Sequence, residues 1–403
     1  MGLEVWLAFL NGLLDEEIWI VPPEGLGYVP SNEACLLHRA LYGLKQSPKV
    51  WYDRLTKDLG AVGFTPVAAD RGLFVRHGKS ETVYILIYVD DLLVIGRENG
   101  TQQTVCFLLE TYDCHDLGDA SSYLGLQIIR DRARRSIYIN QEPNARDLVA
   151  RYKMTECRTR STPLMHDLRL SKGDSEPLDD SSKFAKLVGE LSYLAVYTRP
   201  DLSKSVNSLA KFLNCPTIAH YQAALGIVRY LAGTTDLGIR YQRSDTQLHG
   251  YCDADFAADL DTRRSTSAYV FIWHGGAISW GSLTQKTVAA STVEAEFMAI
   301  SAAVKEALWM QKLMRSLSMD VSPMQIYSDS QGAIALAKGE AISARSKHIA
   351  VHYFFSRDRI SRGEISLSYI KTGEMAADVL TKALPSPMHT ACIKHMGMCS
   401  VSG

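Results

Sequence analysis

The chain has 403 residues, more than one hydrophobic core usually organises, so two or more domains are expected. Its 46% hydrophobic and 22% charged residues supply enough apolar material for sizeable cores and argue against wholesale disorder. A formal net charge of −1 excludes a broadly cationic surface, so any nucleic-acid contact has to come from local basic clusters.

The eight cysteines are scattered, with no Cys-x-x-Cys pair, which fits free thiols in a reducing compartment better than a disulfide framework. Met1-Gly2-Leu3-Glu4 leads into no secretory signal pattern. The apolar stretch Val83 to Ile95 is interrupted by two aspartates and is too short to cross a bilayer as a helix, so no membrane partner is expected.

Val5 to Leu10 opens the chain on an apolar element that Asn11-Gly12 turns toward Asp15-Glu16-Glu17, so the domain is expected to begin upstream. Ser47-Pro48 reads as a helix start, Ser as N-cap and Pro at the first helical position, with Trp51, Leu55 and Leu59 spaced at about one turn and the helix reaching roughly Gly60. Val83–Tyr88 and Leu92–Ile95 read as strands joined at Val89-Asp90-Asp91, which puts two carboxylates at a hairpin tip. Arg130, Arg132, Arg134 and Arg135 form a hairpin-like basic patch, either a phosphate grip or a plain solvated turn. From Met165 to Ser182 the sequence is polar and turn-rich, as a linker would be. Helical spacing resumes over Phe184–Leu194 and His220–Leu231, and a strand-rich region starts near Thr246. Its order (strand, strand, strand, helix, strand, helices, strand, helix) suits a mixed sheet covered by helices, an α/β (α+β) class.

Adjacent carboxylates raise each other's pKa unless water or metal neutralises them, so Asp90-Asp91 is either a solvated turn or a cation site. Tyr88-Val89-Asp90-Asp91 between apolar strands resembles the active-site hairpin of reverse transcriptases, and Leu41 to Tyr52 (LYGLKQSPKVWY) resembles a segment typical of copia-type enzymes. Ala8-Phe9-Leu10-Asn11-Gly12 and Trp19 to Gly25 are similar to the same family, in which an aspartate shortly before the Ala-Phe-Leu run supplies a third metal ligand; here that position is Glu4. The resemblance implies two Mg²⁺ ions, with Mn²⁺ as a substitute, held about 4 Å apart at Asp90, Asp91 and Glu4, where the longer glutamate is expected to displace one ion. It also places Gln46 beside the nascent base pair and Lys45 and Lys49 on template-primer phosphate, the alternative being exposed helix-entry residues. The family's fingers would lie upstream of Met1, so polymerase activity is expected to be impaired.

Thr246 to Ala257 (TQLHGYCDADFA) closes a strand on Asp253 as copia-type ribonuclease H domains do, and Thr262–Ser267, Ile278-Ser279-Trp280 and Thr287–Phe297 continue the likeness. Ser291 with Glu294 three residues on forms a capping box, which makes Glu294 structural and leaves Glu296, near the buried-face run Phe297, Ile300, Val304 and Leu308, as the ligand. Asp329 follows Met324–Ser328 at a strand end, and Asp378 stands in Met375–Lys382; both resemble family ligand positions. The resemblance implies two hard divalent ions on Asp253, Glu296, Asp329 and Asp378, cleaving the RNA strand of an RNA–DNA hybrid, with Arg263, Arg264, Lys286 and Lys305 on the backbone. Retroviral relatives carry a mobile histidine before the last aspartate; here Thr372-Gly373-Glu374 stands there, and Glu374 could serve product release. Arg345–Ala350 resembles a family segment that usually has aspartate where Ala350 stands, a departure outside the metal site. Tyr193–Asp201 and Tyr230–Thr234 are similar to the segment joining polymerase to ribonuclease H.

His389, Cys392, His395 and Cys399 could line one helical face as zinc ligands or simply form an amphipathic end. The expected organisation is a reverse-transcriptase palm over 1–135, a thumb and connection over 136–245 with a linker near 165–182, a ribonuclease H-like domain over 246–384 and a tail over 385–403. The expected function is a retrotransposon-derived reverse transcriptase and ribonuclease H fragment, acting inside the cell in a cytoplasmic particle or the nucleus and not secreted. A catalytically inactive nucleic-acid-binding remnant is the alternative.

Overall fold

A computed structural model describes residues 1–23, 33–79, 81–339 and 350–401, so Arg345–Ile349 and the end of the Trp19–Gly25 stretch lie outside the described residues. The chain folds as two compact units, Met1–Leu124 and Gly125–Gly403.

The first unit runs β1 (Gly2–Val5), β2 (Leu13–Ile20), β3 (Cys35–Arg39), α1 (Ser47–Ala61), β4 (Thr65–Val67), β5 (Asp70–His77), β6 (Thr82–Tyr88), β7 (Asp91–Ile95), α2 (Glu98–Thr111), β8 (Cys114–Asp116) and β9 (Ser122–Tyr123). Six strands form one sheet in the order β4-β5-β6-β7-β1-β8, and β2 pairs with β3 apart from it. The alternating apolar residues of β6 and β7 put Val83, Ile85, Leu92 and Val94 into a core closed by Trp51, Leu55 and Leu59, the face of α1 that the helical spacing marked. Ser47 does not cap that helix. Its hydroxyl donates instead to the Leu41 carbonyl (2.6 Å), and Gln46 holds the N-cap position without a side-chain cap bond.

The second unit continues with β10 (Leu126–Asp131), β11 (Ser136–Asn140), α3 (Glu142–Arg151), α4 (Ser181–Tyr197), α5 (Ser203–Ala210), α6 (Ile218–Ala232) and β12 (Gly238–Gln242). Then come β13 (His249–Asp255), β14 (Thr266–Trp273), β15 (Gly276–Thr284), α7 (Thr292–Ser316), β16 (Met324–Ser328), α8 (Gln331–Lys338), α9 (Ala350–Ser361), β17 (Ile365–Tyr369), α10 (Asp378–Thr381), α11 (Ser386–His395) and β18 (Met398–Cys399). The sheet β15-β14-β13-β16-β17 is antiparallel on one side of β13 and parallel on the other, the mixed sheet expected from the element order. Gly250 lets this sheet close, because a Cβ there would stand 2.5 Å from the Phe271 ring on the neighbouring strand. The apolar side of α7 (Phe297, Ile300, Val304) is fully buried against the core that this sheet shares with α8.

The helical part of the unit packs α3, α4, α5 and α6 around Phe184, Leu187, Leu191, Leu209 and Ile227. Residues 165–182, expected as a linker, pack Leu168, Leu170 and Leu178 onto that core, so the polar composition hid three anchors. Arg199 and Asp201 are both buried and bonded to each other (2.7 Å); Tyr230 donates to Asp201 (2.8 Å), and Arg199 donates to the Thr234 carbonyl (2.8 Å). A guanidinium removed from water this completely needs its carboxylate, so Asp201→Ala should cost about 3–5 kcal/mol of stability, measured by denaturant titration. A loss below about 1 kcal/mol would show that water reaches Arg199.

Candidate metal centre

Three elements bring the second set of acids together. Asp253 lies near the end of β13 and is completely buried; Asp329 follows β16, which runs parallel beside it; Glu296 sits in the second turn of α7, across the sheet face. Ser291 caps α7 by accepting from the Glu294 N–H (3.2 Å), and the Glu294 carboxylate accepts from the Ala290 N–H (2.9 Å), the structural role expected for Glu294. One carboxylate oxygen from each of Asp253, Glu296 and Asp329 lies within 4.8 Å of the others, and no other such group of three occurs among the described residues. Asp378 opens α10 in the same pocket and is buried; the Lys382 ammonium links it (2.9 Å) to Asp253 (3.2 Å).

Burial first, and then charge crowding, raise the carboxyls of this pocket. Burial, then Asp253 and Asp329, pushes the Glu296 carboxyl up to about 8, and burial followed by Asp253 pushes Asp378 up to about 6. Asp253 and Asp378 hold Lys382 charged well above the ordinary lysine range. The Oε2 atom of Glu296 is buried without a hydrogen-bond partner, a cost that a bound cation would remove. Hard oxygen donors, mutual repulsion and an unsatisfied oxygen all fit a divalent ion.

Several contacts here leave no mark in the sequence. Thr381 donates to Asp253, Thr372 donates to Asp329 (2.7 Å), and Lys382 bridges two acids. Thr372 and the exposed Glu374 stand on one short turn ahead of Asp378. Only the i, i+4 spacing of Asp378 and Lys382 offers a sequence signal.

The first acidic set is less closed. Asp91 pairs in register with Glu4 on the neighbouring strand, and the hairpin turn holds β-branched Val89 at φ 56, a strained left-handed conformation. Trp51 fixes that turn by donating its indole N–H to the Val89 carbonyl (2.7 Å). Burial, followed by Asp90 and Glu4, raises the Asp91 carboxyl, so the three acids feel one another. Glu4 is nevertheless exposed, and the trio does not converge as tightly as the acids of the second unit.

Lys45 and Lys49 are exposed at the entry of α1, while Gln46 is spent on Glu16 (2.9 Å). Arg263, Arg264, Lys286 and Lys305 are exposed, Arg263 in a turn organised by Asp259. The arginines at 130, 132, 134 and 135 lie exposed on or beside the β10–β11 hairpin. His389, Cys392 and His395 point to separate partners: the Tyr230 ring, the Met375 carbonyl (3.7 Å) and the Tyr251 hydroxyl (3.2 Å).

Known proteins share both the sequence and the fold. Residues 2–166 match the family model described as reverse transcriptase (RNA-dependent DNA polymerase). The retrovirus-related Pol polyprotein from transposon TNT 1-94 of Nicotiana tabacum is 36% identical over 98% of this chain and 30% of its own length. A transposon Ty5-1 protein of Saccharomyces cerevisiae is 30% identical over 75% of this chain and all of its own. The chain belongs to the copia-type retrotransposon Pol family. It spans about a third or less of the plant Pol polyproteins it matches. A solved foamy viral protease–reverse transcriptase dRH in complex with double-stranded DNA shares the fold at 12% identity, with a TM-score of 0.51 over 92% of this Pol chain and 56% of the viral one.

The raised Glu296 carboxyl has a defined sign. The unfolded group loses its proton near 4.5 and the folded one near 8, so folding binds a proton between these values and metal-free stability falls as pH rises through that window. Glu296→Gln should flatten this fall in melting temperature between pH 5 and pH 8 without metal; identical slopes in both proteins would contradict it.

Proposed function

We propose that the second unit of this Pol chain is a ribonuclease H that cleaves the RNA strand of RNA–DNA hybrids. The observation that carries the reading is the convergence of Asp253, Glu296 and Asp329, with Asp378 in the same pocket and a buried Glu296 oxygen left without a partner. These four side chains would hold the divalent ions, which when bound polarise the scissile phosphate and a water. Thr381 and Thr372 orient Asp253 and Asp329, fixing oxygens that would otherwise rotate. Exposed Arg263, Arg264 and Lys286 are the side chains proposed to meet the sugar–phosphate backbone, where 2′-hydroxyls distinguish RNA.

The first unit is proposed to be a weak or inactive RNA-directed DNA polymerase. Glu4 occupies the strand position facing Asp91, where it is exposed, and its side chain is one methylene longer than the aspartate that the family resemblance implies there.

Purified protein given Mg²⁺ and a hybrid with labelled RNA should cleave it, and Asp329→Asn should lower the rate by at least about a hundredfold, more than the roughly 10–100-fold cost of losing only a partner that orients a ligand. No cleavage by the unmodified chain, or equal cleavage by both, would favour a binding remnant that does no chemistry. In primer extension on an RNA template the unmodified chain should add few or no nucleotides; efficient extension by it would overturn the polymerase reading.

A further inference from the structure

The carboxylate cluster is divided in its charge balance. On one side Asp253, Glu296 and Asp329 bring three ligand atoms within 4.8 Å. On the other, the Lys382 ammonium sits 2.9 Å from Asp378 and 3.2 and 3.3 Å from the two oxygens of Asp253. Asp253 therefore faces both sides, and one side already holds a positive charge supplied by the chain.

We infer that Lys382 is a displaceable resident cation: its ammonium holds the Asp253–Asp378 side of the cluster in the metal-free chain and withdraws when a second divalent ion binds there. This inference rests on the nuclease reading proposed above. An ammonium is a compact point charge on a flexible stem, able to satisfy two carboxylates without fixing a coordination geometry. The Lys382 side chain is 35% exposed, whereas those of Asp253 and Asp378 are 0% and 4% exposed, so the lysine has a way out to water that the acids lack. Thr381 still bonds Asp253 after such a departure and keeps its carboxylate aimed.

Two consequences follow from the shared oxygens. The first ion enters beside Glu296 without breaking the lysine contacts, whereas the second must break both, so it binds more weakly. Removing the ammonium leaves two buried carboxylates facing one another and makes the metal-free chain less stable.

Mn²⁺ titration of the full chain, followed by electron paramagnetic resonance of the free ion, with melting temperatures in parallel, tests this. The unmodified chain should bind two Mn²⁺ ions, the second more weakly. Lys382→Met should tighten the second by about tenfold or more, a change of about 1.4 kcal/mol, with little effect on the first. Its metal-free melting temperature should fall, and the rise on adding Mn²⁺ should exceed that of the unmodified chain. Lys382→Arg, which keeps a cation whose planar fork grips carboxylates, should weaken the second ion and supplies the test if the methionine variant does not fold. Unchanged second-site affinity in both variants, or a single Mn²⁺ bound equally by all three proteins, would overturn the role of Lys382. Absence of any Mn²⁺ binding would instead defeat the metal-site reading, and this inference with it.

Discussion

Like charges confined to one partly desolvated pocket repel one another, and the packing of the second unit holds four of them together against that repulsion. Asp253 and Asp378 are buried, Glu296 and Asp329 are half-buried, and all four belong to elements far apart in the chain. A hydrophobic sheet and helix force them together, and the pocket answers with Lys382, two threonine hydroxyls and a Glu296 carboxyl raised by burial and by Asp253 and Asp329. A core that tolerates such crowding gives up stability, the cost expected of the cation site proposed here.

The two acidic constellations differ in how firmly this constraint is imposed. In the second unit the acids converge from β13, β16, α7 and α10 against a fully packed core. In the first they share a hairpin and the neighbouring strand β1, with Glu4 open to water. Strain at Val89, held by Trp51, keeps the hairpin tip in shape, so the turn is built with more care than its solvated setting requires. The hairpin acids of the first unit are half-buried, but none of its three acids is fully buried as Asp253 is.

Much of this is legible in the sequence because strand alternation and helical spacing are local. The β6–β7 hairpin, the buried face of α1, the capping of α7 by Ser291 and the strand–helix order of the mixed sheet all follow from neighbours within a few residues. The acids themselves emerge through family resemblance, which places residues without explaining their contacts. Polar partners across the fold leave no local trace: Thr381 meets Asp253 over a separation of 128 residues, and Tyr230 meets Asp201 inside a helical core. Local polarity also misleads at Ser47, which serves a carbonyl outside the helix, and over 165–182, where three leucines anchor a segment expected to be loose.

If the four acids of the second unit form one divalent-ion site, anomalous diffraction from crystals grown with Mn²⁺ reads it most directly. The expected result is one peak among Asp253, Glu296 and Asp329, and a second between Asp253 and Asp378 with the Lys382 ammonium turned away. Well-ordered crystals showing no peak at these carboxylates, with Lys382 still bridging them at millimolar Mn²⁺, would contradict it.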